Sequence, residues 1–354
     1  MLIAPKGDPD APHIPTSRSC TEANTGPFSS QMTLPALGFV PSTVRPSLFL
    51  RTDTSLPPFY VIVYVDDLVF ATFVTKALAL VKSELQKRHT CTDLGELRSY
   101  LGLQITQDRA RCTITGTLSH MVHQVLLRFG FRYSSPQPTP LPTVHSLSAP
   151  PSDESVEPSG LYPELVGCLM VLRYLCNTSG IGLVLGGRGL VVLTGHVNAS
   201  WVDDLATQRS SQGYTLSLGS GSVSWRSTHS FSVLSSSCGA EIYVGAMAAP
   251  ELRWLTYLLT DLGVRPRSSL NLYVDNKAMI ALCQEHRLER RTKHIALRYF
   301  LAREFQQHGQ LCLAYVTTRA NTADIFTKAL QTGDHQRFRT VLGLVPTLPH
   351  LLTA

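Results

Sequence analysis

Hydrophobic residues in the first half of the chain recur with the periods of both strands and helices. Residues 60–70 are apolar except for two adjacent aspartates. Val, Ile, Tyr and Phe favour strands, so the pattern predicts two paired strands with Asp66 and Asp67 at the hairpin tip. Leu and Val recur at helical spacing in 76–88 and again in 119–129. Each of these two ranges is therefore predicted to be a helix.

The second half of the chain has a different order of elements. Apolar runs indicate strands at 191–197, 214–218, 222–225, 270–274 and 311–316. Helical periodicity indicates helices at 237–262, 278–284, 291–307 and 320–330. Successive strands followed by strands that alternate with helices predict a mixed sheet covered by helices. The expected fold class is α/β, with an α+β arrangement in the first half and a mixed five-stranded sheet with flanking helices in the second.

Composition suggests where these regions begin and end. Residues 1–35 are rich in Pro, Ser, Thr and Gly without periodicity, which is typical of disorder. A second stretch of this kind, 134–158, has the composition of a linker. The predicted organisation is a disordered segment at 1–35, a domain at 36–133, a linker with a shortened connection at 134–190, a domain at 191–331 and a tail at 332–354.

Charge and cysteine content restrict the class of protein. The 354 residues carry a net charge of +6, which suits a polyanionic partner such as nucleic acid. The 8 cysteines are scattered without a CxxC pair, which indicates reduced thiols in an intracellular protein, cytoplasmic or nuclear. No apolar run is long enough to span a bilayer, and charged residues and prolines interrupt the start. We therefore expect neither a membrane partner nor secretion.

The two adjacent aspartates of 60–70 need an explanation, because paired carboxylates among apolar residues repel each other and are costly to desolvate. A hard divalent cation at the hairpin tip would compensate Asp66 and Asp67. An ordinary surface β-turn is the alternative, since Asp is a good turn residue. The dipeptide alone does not decide between them.

These residues resemble the reverse transcriptases of copia-type (Ty1/copia) retrotransposons. Tyr64-Val65-Asp66-Asp67-Leu68 is similar to the metal-binding hairpin of their palm domain, and similar segments flank it at 37–42, 93–97, 100–105 and 162–170. The second half resembles the ribonuclease H domain of the same elements. Six blocks occur in family order, beginning at Gly195, Arg209, Ala240, Tyr273, Arg291 and Ala323.

The resemblance implies RNA-directed DNA synthesis and cleavage of RNA in RNA–DNA hybrids, both with Mg²⁺ or Mn²⁺ and without a small-molecule cofactor. It assigns catalytic and metal-binding roles to Asp66, Asp67, Glu241, Asp275 and Asp324. Two-ion hydrolysis needs carboxylates drawn from separate elements, because the ions share the scissile phosphate. Taken singly, a helix glutamate is usually solvated and an aspartate after a strand usually belongs to a turn.

Asn198 departs from the family at the fourth catalytic position, where the resemblance implies an aspartate. A neutral amide cannot bridge two cations with negative charge, and Asp203 and Asp204 lie too far along the strand to replace it. Pro250 also removes a backbone hydrogen bond from the helix of Glu241. We predict weak magnesium binding and slow or absent cleavage of the hybrid.

Polymerase activity is predicted to be absent. The family has a further catalytic aspartate in an upstream block for which residues 1–35 offer no match. Met170 also runs directly into Val171, where the family has a further helical stretch; a tolerated loop shortening is the alternative. Two rival interpretations remain: a non-enzymatic module that binds nucleic acid with the ribonuclease H fold, and a translated relic without a stable fold.

A basic cluster in the second half is the expected nucleic-acid contact. It consists of Arg290, Arg291, Lys293 and His294, and its use would be salt-sensitive binding to phosphates. A solvated helix start is the alternative. The three tryptophans, Trp201, Trp225 and Trp254, are expected in the core rather than at a base-stacking surface.

Overall fold

A computed structural model defines the fold. It describes residues 2–5, 30–51, 53, 55–65, 67–142, 161–204, 208–231, 233–234, 236–264, 270–284 and 301–347. Two compact units are present, Met1–Arg98 with Trp254–Arg265 and Ser99–Arg253 with Pro266–Ala354. Each is described on its own.

The first unit is built on a six-stranded sheet. Its strands are β1 Leu2–Pro5, β2 Phe39–Pro41, β3 Leu48–Arg51, β4 Phe59–Tyr64, β5 Asp67–Thr72 and β6 Cys91–Asp93, and its helices include α1 Ser30–Ala36 and α2 Thr75–Arg88. The strand order is β2-β3-β4-β5-β1-β6. All neighbouring pairs are antiparallel. The helix predicted at 76–88 is confirmed.

Aromatic side chains form the core of the first unit. Phe59 packs edge-on against Phe39 and Phe70, with ring centroids 5.1 and 6.2 Å apart. Helix α2 buries Leu85 against the same cluster, which removes apolar surface from water and stabilises the sheet. The Lys82 ammonium on this helix lies 2.6 Å from the Asp93 carboxylate of β6 and ties the helix to that strand.

The predicted hairpin is confirmed. Strands β4 and β5 pair from Phe59↔Thr72 to Tyr64↔Asp67. Strand β1 lies between β5 and β6, with Ile3 opposite both Leu68 and Asp93. Residues 2–5 of the segment predicted to be disordered are thus part of the sheet.

The second unit contains a smaller antiparallel sheet. Its strands are β7 Ser99–Tyr100, β8 Leu103–Asp108, β9 Thr113–Thr117, β10 Ile181–Gly186 and β16 Leu344–Pro346, in the order β16-β10-β9-β8-β7. Helices α3 Ser119–Arg128, α4 Leu161–Thr178 and α8 Thr332–Val341 belong to this part of the sequence. The helix predicted at 119–129 is confirmed. Met170 and Val171 both lie inside the continuous helix α4.

A mixed five-stranded sheet forms the centre of the second unit. It contains β11 Leu193–Asp204, β12 Arg209–Leu218, β13 Gly221–His229, β14 Asn271–Val274 and β15 Cys312–Tyr315. The order is β13-β12-β11-β14-β15. The first three strands are antiparallel neighbours, whereas β14 runs parallel to β11 and to β15. The predicted α/β class and the mixed sheet with flanking helices are confirmed.

Three further helices contribute to the second unit in the described residues: α5 Ser237–Asp261, of which 237–253 belong to this unit, α6 Lys277–Gln284 and α7 Leu301–Gln307. Helix α5 continues through Pro250. It lies close to the sheet, since Gln212 on β12 donates its amide to the Ala240 carbonyl. The first two match the predicted helices, and α7 is the described end of the helix predicted at 291–307.

The helix predicted at 320–330 is wrong. Two short 3-10 helices, Thr318–Ala320 and Thr322–Phe326, stand there instead. Asn321 separates them because its side-chain oxygen accepts the Ala323 N–H at 3.2 Å and starts a new turn. This break sets the position of Asp324.

None of the described helices is long and apolar enough to cross a membrane. The seven cysteines in the described part of the chain are free, as the scattered spacing predicts. The tryptophan prediction is wrong for Trp201 and Trp225, which are 50% and 55% exposed. Trp201 lies near the end of β11, and Trp225 lies on β13 at the edge of the sheet, so neither is enclosed by the core.

Candidate functional site

Asn198 lies at the centre of the candidate site. It is on strand β11, paired with Gly213 of β12, and only 3% of it is exposed. Its side-chain amide donates to Oδ1 of Asp324 and to the Thr327 hydroxyl, each at 2.6 Å. The amide that stands at the expected aspartate position therefore acts as a donor toward a carboxylate.

The Thr322–Phe326 helix can approach strands β11 and β12 closely because Gly213 on β12 has no side chain. A Cβ at Gly213 would lie 2.6 Å from the Phe326 Cβ and 3.0 Å from the Thr327 Cγ2. Asn321 adds a second attachment, since its amide donates to the Val197 carbonyl at 2.8 Å. The helix carrying Asp324 is thus fixed against the middle of β11.

Asp324 is buried and both of its carboxylate oxygens have partners. Oδ1 accepts from Asn198, and Oδ2 lies 3.0 Å from the Lys328 ammonium. Burial raises the pKa of Asp324, the Lys328 ammonium opposes that rise, and the nearby Asp275 carboxylate adds to it. The charge of Asp324 is therefore compensated by the chain itself.

Glu241 reaches the same site from helix α5. One carboxylate oxygen accepts the Ala199 N–H at 3.0 Å. The other, Oε2, is buried without a hydrogen-bond partner in the described part of the chain. Burial raises the pKa of Glu241 to about 8, the Ala199 N–H opposes the rise, and the Asp275 and Asp324 carboxylates reinforce it. The surroundings of Glu241 thus favour its protonated form more than water does.

Asp275 follows strand β14 directly and is half-buried. The Thr318 hydroxyl donates to its Oδ2 at 3.0 Å. Its charge acts on the pKa of both Glu241 and Asp324, so these three carboxyl groups share one electrostatic environment. The structure thus gathers Asn198, Glu241, Asp275 and Asp324 from separate parts of the chain.

The site does not fit a pair of magnesium ions. Within the described residues, no three side chains among His, Cys, Asp and Glu are arranged to hold a metal ion. Asn198 directs N–H groups at Asp324, and an N–H cannot ligate a cation. The second oxygen of Asp324 faces the Lys328 ammonium. A magnesium ion would have to displace these donors to reach the carboxylate.

The hairpin of the first unit is a separate acidic site. Asp67 begins β5 and is half-buried, whereas Asp66 lies outside the described residues. Val65 at the tip has a φ of 51°, which is unfavourable for a β-branched residue.

The predicted phosphate contacts Arg290, Arg291, Lys293 and His294 lie outside the described residues. The second unit also contains a basic and aromatic pair, in which the Lys277 ammonium lies 4.8 Å from the centre of the Tyr315 ring. Both residues are exposed.

Four residues of the site were not singled out from the sequence: Thr318, Asn321, Thr327 and Lys328. The spacing of Asp324 and Lys328, four residues apart, is a signal for an ion pair. Thr327 lies in the same motif block. Nothing in the sequence near Thr318 indicates its contact with Asp275, because 43 residues separate the two.

Comparisons with known proteins agree with the resemblance. Residues 28–143, which include the hairpin, match the family described as reverse transcriptase (RNA-dependent DNA polymerase). The Pol polyprotein from transposon TNT 1-94 of Nicotiana tabacum is 26% identical over 322 residues, 80% of this chain and 24% of that protein. The Pol polyprotein from transposon RE1 of Arabidopsis thaliana is 28% identical over 350 residues, 88% of this chain and 23% of that protein.

The chain spans about a quarter of the length of these curated relatives. Among solved structures, LC11-RNase H1 isolated from compost overlaps 39% of this chain and 94% of its own, with 12% identity and a TM-score of 0.30.

Proposed function

We propose that this chain, which is related to copia-type Pol polyproteins over most of its length, binds RNA–DNA hybrids through its second unit and cleaves them slowly or not at all. Relatedness supports the substrate class, and the net charge of +6 suits a polyanion. The state of the acidic site supports the loss of activity.

The observation that carries this proposal is the hydrogen bond from Asn198 to Asp324. Hydrolysis assisted by two metal ions needs anionic oxygens that face the ions. Asn198 instead presents a neutral donor and takes up one oxygen of Asp324. The loss of one electrostatic group commonly lowers a rate by about 10²–10³-fold. We derive no magnesium-dependent step, because the residues present do not fit the ions.

For the first unit we propose that the chain does not polymerise DNA by itself. Asp66 and Asp67 would supply only part of the carboxylate set that two metal ions require. The relatedness to reverse transcriptases over 28–143 is compatible with a palm-type sheet that does not catalyse DNA synthesis by itself.

Recognition of nucleic acid is proposed for basic residues of the second unit. Arg290, Arg291, Lys293 and His294 remain the proposed phosphate contacts. Lys277 and Tyr315 are added, because a cation beside an exposed aromatic ring suits a phosphate and a base together. Binding should weaken with salt, as phosphate contacts do.

The test is a side-by-side assay of hybrid cleavage and hybrid binding with magnesium. We expect wild type to bind a labelled RNA–DNA hybrid and to cleave little of it, and Asn198→Asp to cleave faster. Asn177→Asp makes the same chemical change on an exposed position of helix α4 and should behave like wild type. Rapid cleavage by wild type that Asp275→Asn abolishes would refute the proposed loss of activity.

A second candidate is a module that binds nucleic acid without any catalytic role. The hydrogen bonds and the ion pair that occupy Asp324 favour it, because this carboxylate is engaged within the chain. Hybrid binding with no gain of cleavage in Asn198→Asp would support this candidate. A cooperative thermal transition would exclude an unfolded relic.

A further inference from the structure

The polar groups around Asp324 form a closed set of contacts within the chain. The Asn198 amide donates to Asp324 Oδ1 and to the Thr327 hydroxyl. That hydroxyl donates in turn to the Asp324 backbone carbonyl at 3.3 Å. The Lys328 ammonium completes the set at Asp324 Oδ2. Each oxygen of this buried carboxylate therefore has a donor from a nearby side chain.

These contacts join parts of the chain that are distant in sequence. Asn198 and Asp324 are separated by 126 residues. They attach the Thr322–Phe326 helix to the middle of strand β11, and the bond from Asn321 to Val197 attaches the same helix one residue earlier on the strand. A buried carboxylate without such partners would destabilise the fold, because burial of an unpaired charge is costly.

The charge of Asp324 is compensated by groups of the chain itself. A neutral amide occupies the position where an aspartate is expected, so one negative charge fewer needs compensation. The Lys328 ammonium supplies one positive charge to Asp324, and its own side chain is 37% exposed, so its desolvation cost is modest. The half-buried Asp275 carboxylate accepts a hydrogen bond from the Thr318 hydroxyl.

We propose that Asn198, Asp324, Thr327 and Lys328 form a metal-independent structural junction, in which the Lys328 ammonium takes the electrostatic place of a divalent cation. The junction holds the Thr322–Phe326 helix on the sheet. It concerns the same site as the proposed function but depends only on these contacts. A failure to bind the hybrid would therefore leave the junction proposal intact. Loss of the junction proposal would likewise leave hybrid binding possible.

The first experiment measures the melting temperature of the full chain in EDTA and in excess magnesium. We expect the same value for wild type in both. Lys328→Met should lower the melting temperature by about 5 °C in both conditions, since it removes the cation beside a buried carboxylate. Lys277→Met removes an exposed charge elsewhere in the second unit and should change the value by at most about 1 °C.

The second experiment restores the missing charge. Asn198→Asp places a carboxylate against Asp324, so its melting temperature should fall in EDTA and recover with magnesium. Asn177→Asp is the matched control and should show no response to magnesium. Recovery in Asn198→Asp alone would show that the amide makes the junction independent of metal.

Three results would overturn the proposal. One is a saturable rise of the wild-type melting temperature with magnesium that Asp324→Asn abolishes. Another is a Lys328→Met protein no less stable than Lys277→Met. The third is an Asn198→Asp protein as stable as wild type in EDTA. If Asn198→Asp does not fold, the magnesium titration of wild type and the two lysine variants still decide the matter.

Discussion

The two acidic sites of the molecule differ in how deeply their carboxylates are buried. Asp324 is 4% exposed and receives an amide and an ammonium from the chain. Asp67 lies at the end of a hairpin whose tip residue Val65 is 57% exposed, so water can reach this region. A carboxylate can rely on water at a surface, but it needs donors from the protein once it is buried. Burial, more than the presence of aspartate, explains why the second unit has built a junction.

The largest expected effect is a loss of stability that differs between Asp324 and Asp67 variants. Asp324→Ala should lower the free energy of unfolding by about 3 kcal/mol, because it leaves the buried Asn198 amide without its acceptor and Lys328 without its partner. Asp67→Ala changes a half-buried residue and should cost less, about 1 kcal/mol. Urea denaturation followed by circular dichroism measures both. Equal losses would contradict the difference drawn between the two sites.

The close approach of the 3-10 helix to the sheet gives the second prediction. Gly213→Ala should destabilise the protein by about 2 kcal/mol, since its Cβ would overlap with Phe326 and Thr327. Gly333→Ala, in helix α8 with no heavy atom within 4 Å of its Cβ, should be neutral or slightly stabilising. Chemical denaturation of both variants checks this, and a stable Gly213→Ala protein would argue against tight packing of Asp324 on β11.

A pH effect next to the junction is the third prediction. His196 on β11 stacks on Tyr273, and burial lowers the pKa of His196 to about 4. A depressed histidine pKa contributes stability that is complete above about 6.5 and is lost as the pH falls toward 4. His196→Phe should remove about 2 kcal/mol of this loss at pH 4.

The comparison between variants isolates this histidine, because other groups titrate in the same range. His229→Phe changes an exposed histidine on β13 and should retain the wild-type pH dependence. Urea midpoints between pH 7 and pH 4 provide the measurement. Identical slopes for wild type and His196→Phe would rule out a buried neutral imidazole.

The smallest expected effect concerns strain at the hairpin. Val65 has a φ of 51°, where glycine is favoured. Val65→Gly should therefore raise the stability by about 0.5 kcal/mol, whereas Val65→Ala keeps a Cβ and should not. Thermal melting of the two variants distinguishes them. A gain for alanine equal to that for glycine would mean that the side chain, and not the backbone, limits this turn.

Local patterns were sufficient for most elements of the fold. Helix α2 was predicted at 76–88 and begins at Thr75, and the β4–β5 hairpin was predicted from its apolar runs alone. Period and propensity act over a few residues, so short windows contain the information. The helix expected at 320–330 failed because Asn321 caps a new turn at Ala323 and is held there by its bond to Val197, a residue far away in sequence. Helical propensity depends on neighbouring residues and does not include a contact with a distant one.

In the candidate site too, the sequence indicates which residues are present, whereas the structure decides their contacts. The motif blocks identified Glu241, Asp275 and Asp324 and exposed the substitution at Asn198, since residue identity is a property of the chain alone. The partners of those groups, Thr318 and Lys328, and the direction in which the Asn198 amide points follow from the packing of β11 against the Thr322–Phe326 helix. Hydrogen bonds and burial depend on distances between segments far apart in sequence, and folding alone sets those distances.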